Sequence, residues 1–206
     1  KNESVEKFPR VFPYTRLTLT HFEKRPCCMR NATPDDIDSL MKLEKSCWSE
    51  LMQISKENIL KRLEIFPEGQ LVLVAEGEVK AVIYTQRIND DQELHKSTIS
   101  TLPNFHQDNG SFLQLISLNA FSEEQDKGYG DQLLRFVLQY AELKSEIKKV
   151  AAITRCKNFV QEKDNIKIDD YIKKEDLHGF LSDPILRFHQ LHGAIIKEVV
   201  YDFRPG

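Results

Sequence analysis

The hydrophobic period along this chain changes several times, and each change marks an element. Gln70-Leu71-Val72-Leu73-Val74-Ala75 and Val79-Lys80-Ala81-Val82-Ile83-Tyr84 are short apolar runs that predict two strands. Glu76-Gly77-Glu78 between them predicts a hairpin turn. Cys27 to Ala32, Ser111 to Ala120 and Lys148 to Thr154 predict three more strands, and Ala194 to Phe203 a last one. Helical spacing replaces alternation at Leu133, Leu134, Val137 and Ala141, which predicts a helix over 129–145. Ile37, Leu40, Met41, Cys47 and Trp48 fall near one face of an earlier helix. Thr33-Pro34-Asp35-Asp36 starts it, with an N-cap Thr, a Pro at the first helical position and capping-box spacing to Asp36. A further helix spans Lys56 to Ile65 and stops before Pro67. The closing helix begins at Asp183-Pro184 and ends at Gly193. Asn89 to Gly110 is polar and predicts a long loop, and 157–182 reads as a charged insertion with one short helix.

The resulting order, β-α-α-β-β-β-α-β-α-β, predicts an α/β domain around a mixed sheet. Residues 1–30 read as an N-terminal arm or linker and 31–206 as the domain. Net charge is -3 and no basic run is interleaved with aromatics, so no nucleic-acid partner is expected. No apolar stretch is long enough to span a membrane. The N-terminus has no apolar signal core and no initiator Met, which predicts a piece of a longer cytoplasmic polypeptide. Cys27, Cys28, Cys47 and Cys156 have no metal or disulfide spacing, so free thiols and no metal are expected.

Chemistry concentrates first at Gln125-Asp126-Lys127-Gly128-Tyr129-Gly130. A glycine turn here hands a strand to a helix N-terminus, where unpaired N–H groups and the helix dipole suit a phosphate. The glycines also fit a plain tight turn. The Q-x-x-G-x-G pattern resembles the pyrophosphate turn of the GNAT superfamily, which grips coenzyme A or phosphopantetheine. The element order is that of the GNAT fold, a central mixed β-sheet flanked by helices. The resemblance implies that Leu118, Gln125, Asp126, Lys127, Gly128, Tyr129 and Gly130 bind the cofactor.

The closing helix is the second anchor. Many GNAT acetyltransferases carry Phe-Tyr, three residues and Gly-Phe here, the Tyr protonating the departing thiolate. This chain has Phe188-His189 and Gly193-Ala194 instead. His189 and His192 fall in the apolar arc, and Arg187 and Gln190 face away from it. A core histidine bonded to a carbonyl would also occupy such a place.

The blocks Asp183-Pro184-Ile185-Leu186-Arg187-Phe188-His189 and Phe203-Arg204-Pro205, with Thr154 to Phe159 and Tyr171-Ile172, are more specific. They resemble the GNAT-like domain of bacterial polyketide synthase loading modules of the curacin type, from about Arg30 to the C-terminus. That resemblance implies decarboxylation of a malonyl or methylmalonyl thioester to an acetyl or propionyl starter on acyl carrier protein, with S-acyl transfer from coenzyme A also proposed for the family. It implies His189 and Thr154 as catalytic and Trp48 and Arg204 as substrate-binding. On the residues alone, Thr154 also reads as a strand residue, Trp48 as core packing, and Arg204 and Lys127 as surface charges. Implied partners are acyl-CoA, the carrier protein and neighbouring synthase domains, with Lys127, Arg155 and Lys157 candidates for carrier docking. Two alternatives stay open: an N-acetyltransferase for an amine or peptide, with Glu123 and Glu124 near the strand end, and an inactive binding domain.

Overall fold

The computed structural model describes residues 27–96, 106–121, 127–201 and 203. Five strands form one sheet in chain order: β1 (Cys27–Asn31), β2 (Gln70–Ala75), β3 (Glu78–Ile88), β4 (Phe112–Ala120) and β5 (Lys149–Ala152). The first three pairings are antiparallel, and β4 pairs β5 in parallel. The hairpin between β2 and β3 turns at Glu76 and Gly77, both with positive φ (57° and 78°), as a two-residue turn matched to strand twist requires.

Strand alternation explains the two cores. Val72, Val82 and Tyr84 face one side, with Leu40 and Leu43 of α1 (Ile37–Cys47) and Ile59 and Leu63 of α2 (Lys56–Ile65). Leu71, Leu73, Ala81 and Ile83 face the other, against Leu133, Leu134 and Val137 of α4 (Tyr129–Leu143). Each fully buried Leu contributes about 1.5–3 kcal/mol, so helices on both faces are needed to cover this sheet.

The register between β3 and β4 slips at one point: Tyr84 faces Ser117 but Thr85 faces Leu115, leaving Ile116 as an extra residue. β5 pairs only with Phe112 to Leu115 and stops at that bulge. A bulge bends its strand and increases the local twist. Beyond it, β4 runs on to Ala120 with β3 on one edge and no β5 on the other. A gap therefore opens between the parallel strands.

The capped helices start where their residues predict. The Thr33 N–H donates to Asp36 Oδ2 at 2.8 Å, and α2 spans Lys56–Ile65 with Ser55 Oγ accepting from Asn58 N. Four expectations change. The segment read as a loop after β3 contains a short helix, α3 (Gln92–Lys96). The insertion holds two, α5 (Phe159–Glu162) and α6 (Ile168–Tyr171). The strand ending at Thr154 stops at Ala152, because the bulge removes its partner. The last strand, Ala194 to Phe203, is absent over the described residues: Ile195 is 87% exposed and Tyr201 66%, with no neighbouring strand to pair. The segment is tied down by side chains, Lys197 to Asp91 (2.8 Å) and Tyr201 to Asp169 (3.1 Å), and by Phe203, which is buried in the α1–α2 core.

Candidate active site

The glycine turn and α4 form one edge of the site. Gly128 takes φ +72° as the N-cap of α4, and a Cβ built on it would meet no atom within 4 Å. Positive φ favours glycine, and the open space leaves its backbone approachable. Gly130 faces Leu118, whose side chain would lie 3.6 Å from an added Cβ, so β4 and α4 pack closely. Tyr129 is buried beneath the turn. Lys127 is half-buried in a single 3-10 turn position before it. Gln125 and Asp126 lie outside the described residues, as does Arg204.

The closing helix, α7 (Pro184–Leu191), is fixed at both ends. Asp183 Oδ1 accepts from Ile185 N (3.0 Å) and Leu186 N (3.3 Å). Its Oδ2 accepts from Asn158 N (3.1 Å) and the Tyr171 hydroxyl (2.9 Å), which binds the helix start to the insertion. Gly193, at φ +83°, lets Ala194 N reach His189 O and Gly193 N reach Gln190 O, the paired bonds of a Schellman end. Arg187 and Gln190 grip the insertion through Leu181 and Asp176.

The two histidines of α7 differ. His192 Nδ1 donates to Phe188 O at 2.8 Å, and its Nε2 lies at ion-pair distance, 2.9 Å, from Asp131 Oδ1 without an aligned hydrogen bond. One nitrogen is thereby hydrogen-bonded, and the other faces a carboxylate. The His189 ring nitrogens make no hydrogen bond among the described residues, and the ring stays partly exposed. Burial, with the nearby His192, holds the His189 imidazole below the ordinary histidine value. Phe188 stacks edge-on to His189 and packs on the cluster that includes Leu118 of β4 and Val150 of β5.

Trp48 stands across the sheet from α7. It lies just past the end of α1 in extended backbone (φ -131°, ψ 143°), not on the helix face where apolar spacing put it. Its Nε1–H donates to Asn119 Oδ1 at 2.9 Å. Ser117 Oγ bonds the same oxygen at 2.8 Å, and Asn119 Nδ2 donates to Glu44 Oε2 at 2.8 Å. Glu44 is fully buried, and its other oxygen accepts from Ile54 N at 2.8 Å. The bulge at Ile116 turns both Ser117 and Asn119 toward this network. Sequence reading missed Asn119 and Glu44; the only signal was three polar residues, Gln114, Ser117 and Asn119, in an otherwise apolar strand. Thr154 is exposed, two residues past β5, and Arg155 lies over the Trp48 ring with its guanidinium carbon 4.6 Å from the centroid. The structure thus brings Trp48 to the segment carrying Thr154.

No protein-family model matches the chain. Among solved structures it is similar to the loading GNATL domain of CurA from Lyngbya majuscula, with 37% identity, 87% of this chain and 90% of that one covered, and a TM-score of 0.83. It is also similar to the GphF GNAT-like decarboxylase, solved in complex with isobutyryl-CoA: 33% identity, 86% and 91% covered, TM-score 0.80. Ard1 from Thermoplasma volcanium shares the fold at 15% identity, with 84% of each chain covered and a TM-score of 0.57. A curated Bacillus subtilis (strain 168) protein, the probable hydrolase YhcX, is 24% identical over 195 residues. That match takes in 92% of this chain but only 37% of the relative's length.

Proposed function

The chain belongs to the GNAT-like domains of the polyketide synthase loading-module type, within the GNAT superfamily, and on that premise we propose that it decarboxylates a malonyl or methylmalonyl thioester. The product is an acetyl or propionyl starter on an acyl carrier protein within a polyketide synthase. Coenzyme A, or the phosphopantetheine of the carrier, brings the acyl group. The residues fit such an arm: Gly128 leaves open space at the start of α4, whose first N–H groups have no intrahelical partners. Lys127, Gly128, Tyr129 and Gly130 would hold the pyrophosphate, with Gln125 and Asp126 completing the turn and Leu118 lining it. The β4 edge from Ile116 to Ala120, free of β5, suits the amides of the arm, which would add there as a strand does.

In the reaction the bond between the α-carbon and the carboxylate breaks. Its electron pair enters the thioester, and the carbonyl oxygen becomes an enolate oxygen. Thr154 Oγ1–H and a His189 ring N–H are the donors we assign to that oxygen. Val150 packs on the α4 side of the sheet and Ile153 on the α1 side, the alternation of an extended chain. Continued, it directs Thr154 toward the α4 and α7 side and Arg155 toward Trp48, where Arg155 is found. When the enolate collapses, the α-carbon takes a proton from water, or from His189 in its protonated form, and solvent then replaces that proton. Trp48 gives the departing carboxylate an apolar wall, and Arg204 is assigned to substrate binding.

The observation that carries this reading is the contrast within α7: His192 is committed to Phe188 and Asp131, whereas His189 has both ring nitrogens uncommitted among the described residues. The test is mass spectrometry of malonyl-loaded carrier protein incubated with the domain. The parent should remove the mass of carbon dioxide. His189→Ala should slow this by about two to three orders of magnitude, the usual effect of losing one preorganised donor. Thr154→Val should lower turnover more than it raises KM. A parent that acetylates amines and never releases carbon dioxide would refute the assignment.

A further inference from the structure

Arg155 has a surplus of binding capacity. Its guanidinium lies on the Trp48 indole, 4.6 Å from the ring centroid, and donates no hydrogen bond to any described residue. The surface beneath it is rigid. Trp48 Nε1 is held by Asn119 Oδ1, Gln53 Nε2 donates to Trp48 O at 2.9 Å, and Asn119 is almost wholly buried. The nearby carboxylate, Glu44, accepts from Asn119 Nδ2 and Ile54 N. Burial raises the Cys47 thiol, and the Arg155 charge is a smaller influence in the opposite direction, so that charge is felt at the end of α1.

A guanidinium stacked on an aromatic face keeps its in-plane N–H groups free, and that fork matches a carboxylate in bidentate geometry. The site offers such an anion if the decarboxylase reading, on which this inference rests, is right. An arm entering the gap beside β4 with its thioester at Thr154 and His189 projects its acyl end toward the Trp48 side. We propose that Arg155 binds the free carboxylate of the malonyl-type substrate and selects carboxylated over simple acyl thioesters. Stacking fixes the guanidinium before substrate arrives, so little side-chain entropy is lost on binding. Carbon dioxide, once formed, is neutral and leaves this fork without the ion pair.

The test measures affinity for malonyl-CoA and for acetyl-CoA side by side, in a His189→Ala background so that malonyl-CoA survives. Arg155→Met keeps the apolar stem over the indole and removes the fork; Arg155→Lys keeps a charge without it. We expect Arg155→Met to weaken malonyl-CoA about 10- to 100-fold, the range for a hydrogen bond to a charged group, with acetyl-CoA unchanged and Arg155→Lys intermediate. Equal losses for both ligands would make Arg155 a structural support, and no loss for either would also overturn the proposal. A rate lost only with malonyl-loaded carrier protein, with malonyl-CoA discrimination intact, would assign Arg155 to carrier docking and overturn it as well. Carbon dioxide release by the parent is scored separately, so failure of the decarboxylase reading is distinguishable from failure of Arg155.

Discussion

His192 Nε2 sits 2.9 Å from Asp131 Oδ1, so the end of the helix that carries His189 is fastened to the first turn of the helix behind the glycine turn. Asp131 also accepts from Arg135 Nε at 2.7 Å. Asp131→Asn and His192→Ala should each lower stability by about 1 kcal/mol and slow decarboxylation less than His189→Ala does. The double variant should cost less than the sum of the two single ones, since the contact they share can be lost only once. Strictly additive losses in chemical denaturation would make the contact incidental.

Acid should weaken the protein before its carboxylates titrate. Burial holds His189 below the ordinary histidine value, and it does the same for His106. At these positions the folded chain binds fewer protons than the unfolded chain, so stability rises with pH across the histidine range. It is fully present above about pH 6.5 and is lost as pH falls from there through the lowered values. Asp36 acts in a separate window: the hydrogen bonds from Arg30 bring its pKa to about 2, and that stability is present above the ordinary carboxylate value and is lost only as pH falls toward that point. Urea midpoints should therefore drop in two steps, with His189→Gln and His106→Gln each flattening the first. A first step untouched by both substitutions would contradict this account.

Gly128 and Gly77 share a positive φ, 72° and 78°, and neither has a neighbour that a Cβ would meet. Valine at either position should cost about 1–2 kcal/mol in backbone strain. Only Gly128→Val should also lower coenzyme A affinity, by about tenfold or more, because only there must a phosphate approach the backbone. Calorimetric titration of both variants separates strain from recognition; matching affinities would remove Gly128 from the cofactor site.

Asn119→Leu should cost about 3 kcal/mol, since it removes one donor from the buried Glu44 carboxylate and the Oδ1 acceptor of the Trp48 indole N–H. Trp48 is the sole tryptophan in the chain, so intrinsic fluorescence reports this position alone. The emission maximum should shift in the folded Asn119→Leu protein. An unchanged spectrum and stability would mean that the network does not orient the indole.

Legibility followed the range of the interactions. Ser55, Asp183 and Gly193 act on residues a few places away, so α2 and α7 could be read from local chemistry. The β2–β3 hairpin was visible in the same way, whereas the GNAT fold came from the resemblance carried by the glycine turn and the element order. Trp48 was misplaced onto a helix face because apolar spacing carries past a helix end without marking it. The strand expected over Ala194 to Phe203 has the composition of a strand but no partner, and partners are not written locally. Glu44 and Asn119 lie 75 positions apart in sequence, and only the bulge at Ile116 turns them toward each other. Arg155 read only as a candidate for carrier docking, because its stacking on Trp48 depends on that same bulge and on where β5 stops. The roles of His189, Thr154 and Trp48 came from family resemblance, and Gln125, Asp126 and Arg204 fall outside the described residues.

The early end of β5 has a thermodynamic consequence. Between Ile116 and Ala120 the sheet has room for one more extended chain, and under the proposed function the carrier arm is that chain. Loading would then work as a late step of assembly, with part of the binding energy spent closing a sheet edge. The melting temperature should rise with ligand concentration, and deuterium uptake should slow at alternate amides from Ile116 to Ala120. Protection confined to the glycine turn would leave that edge to another occupant.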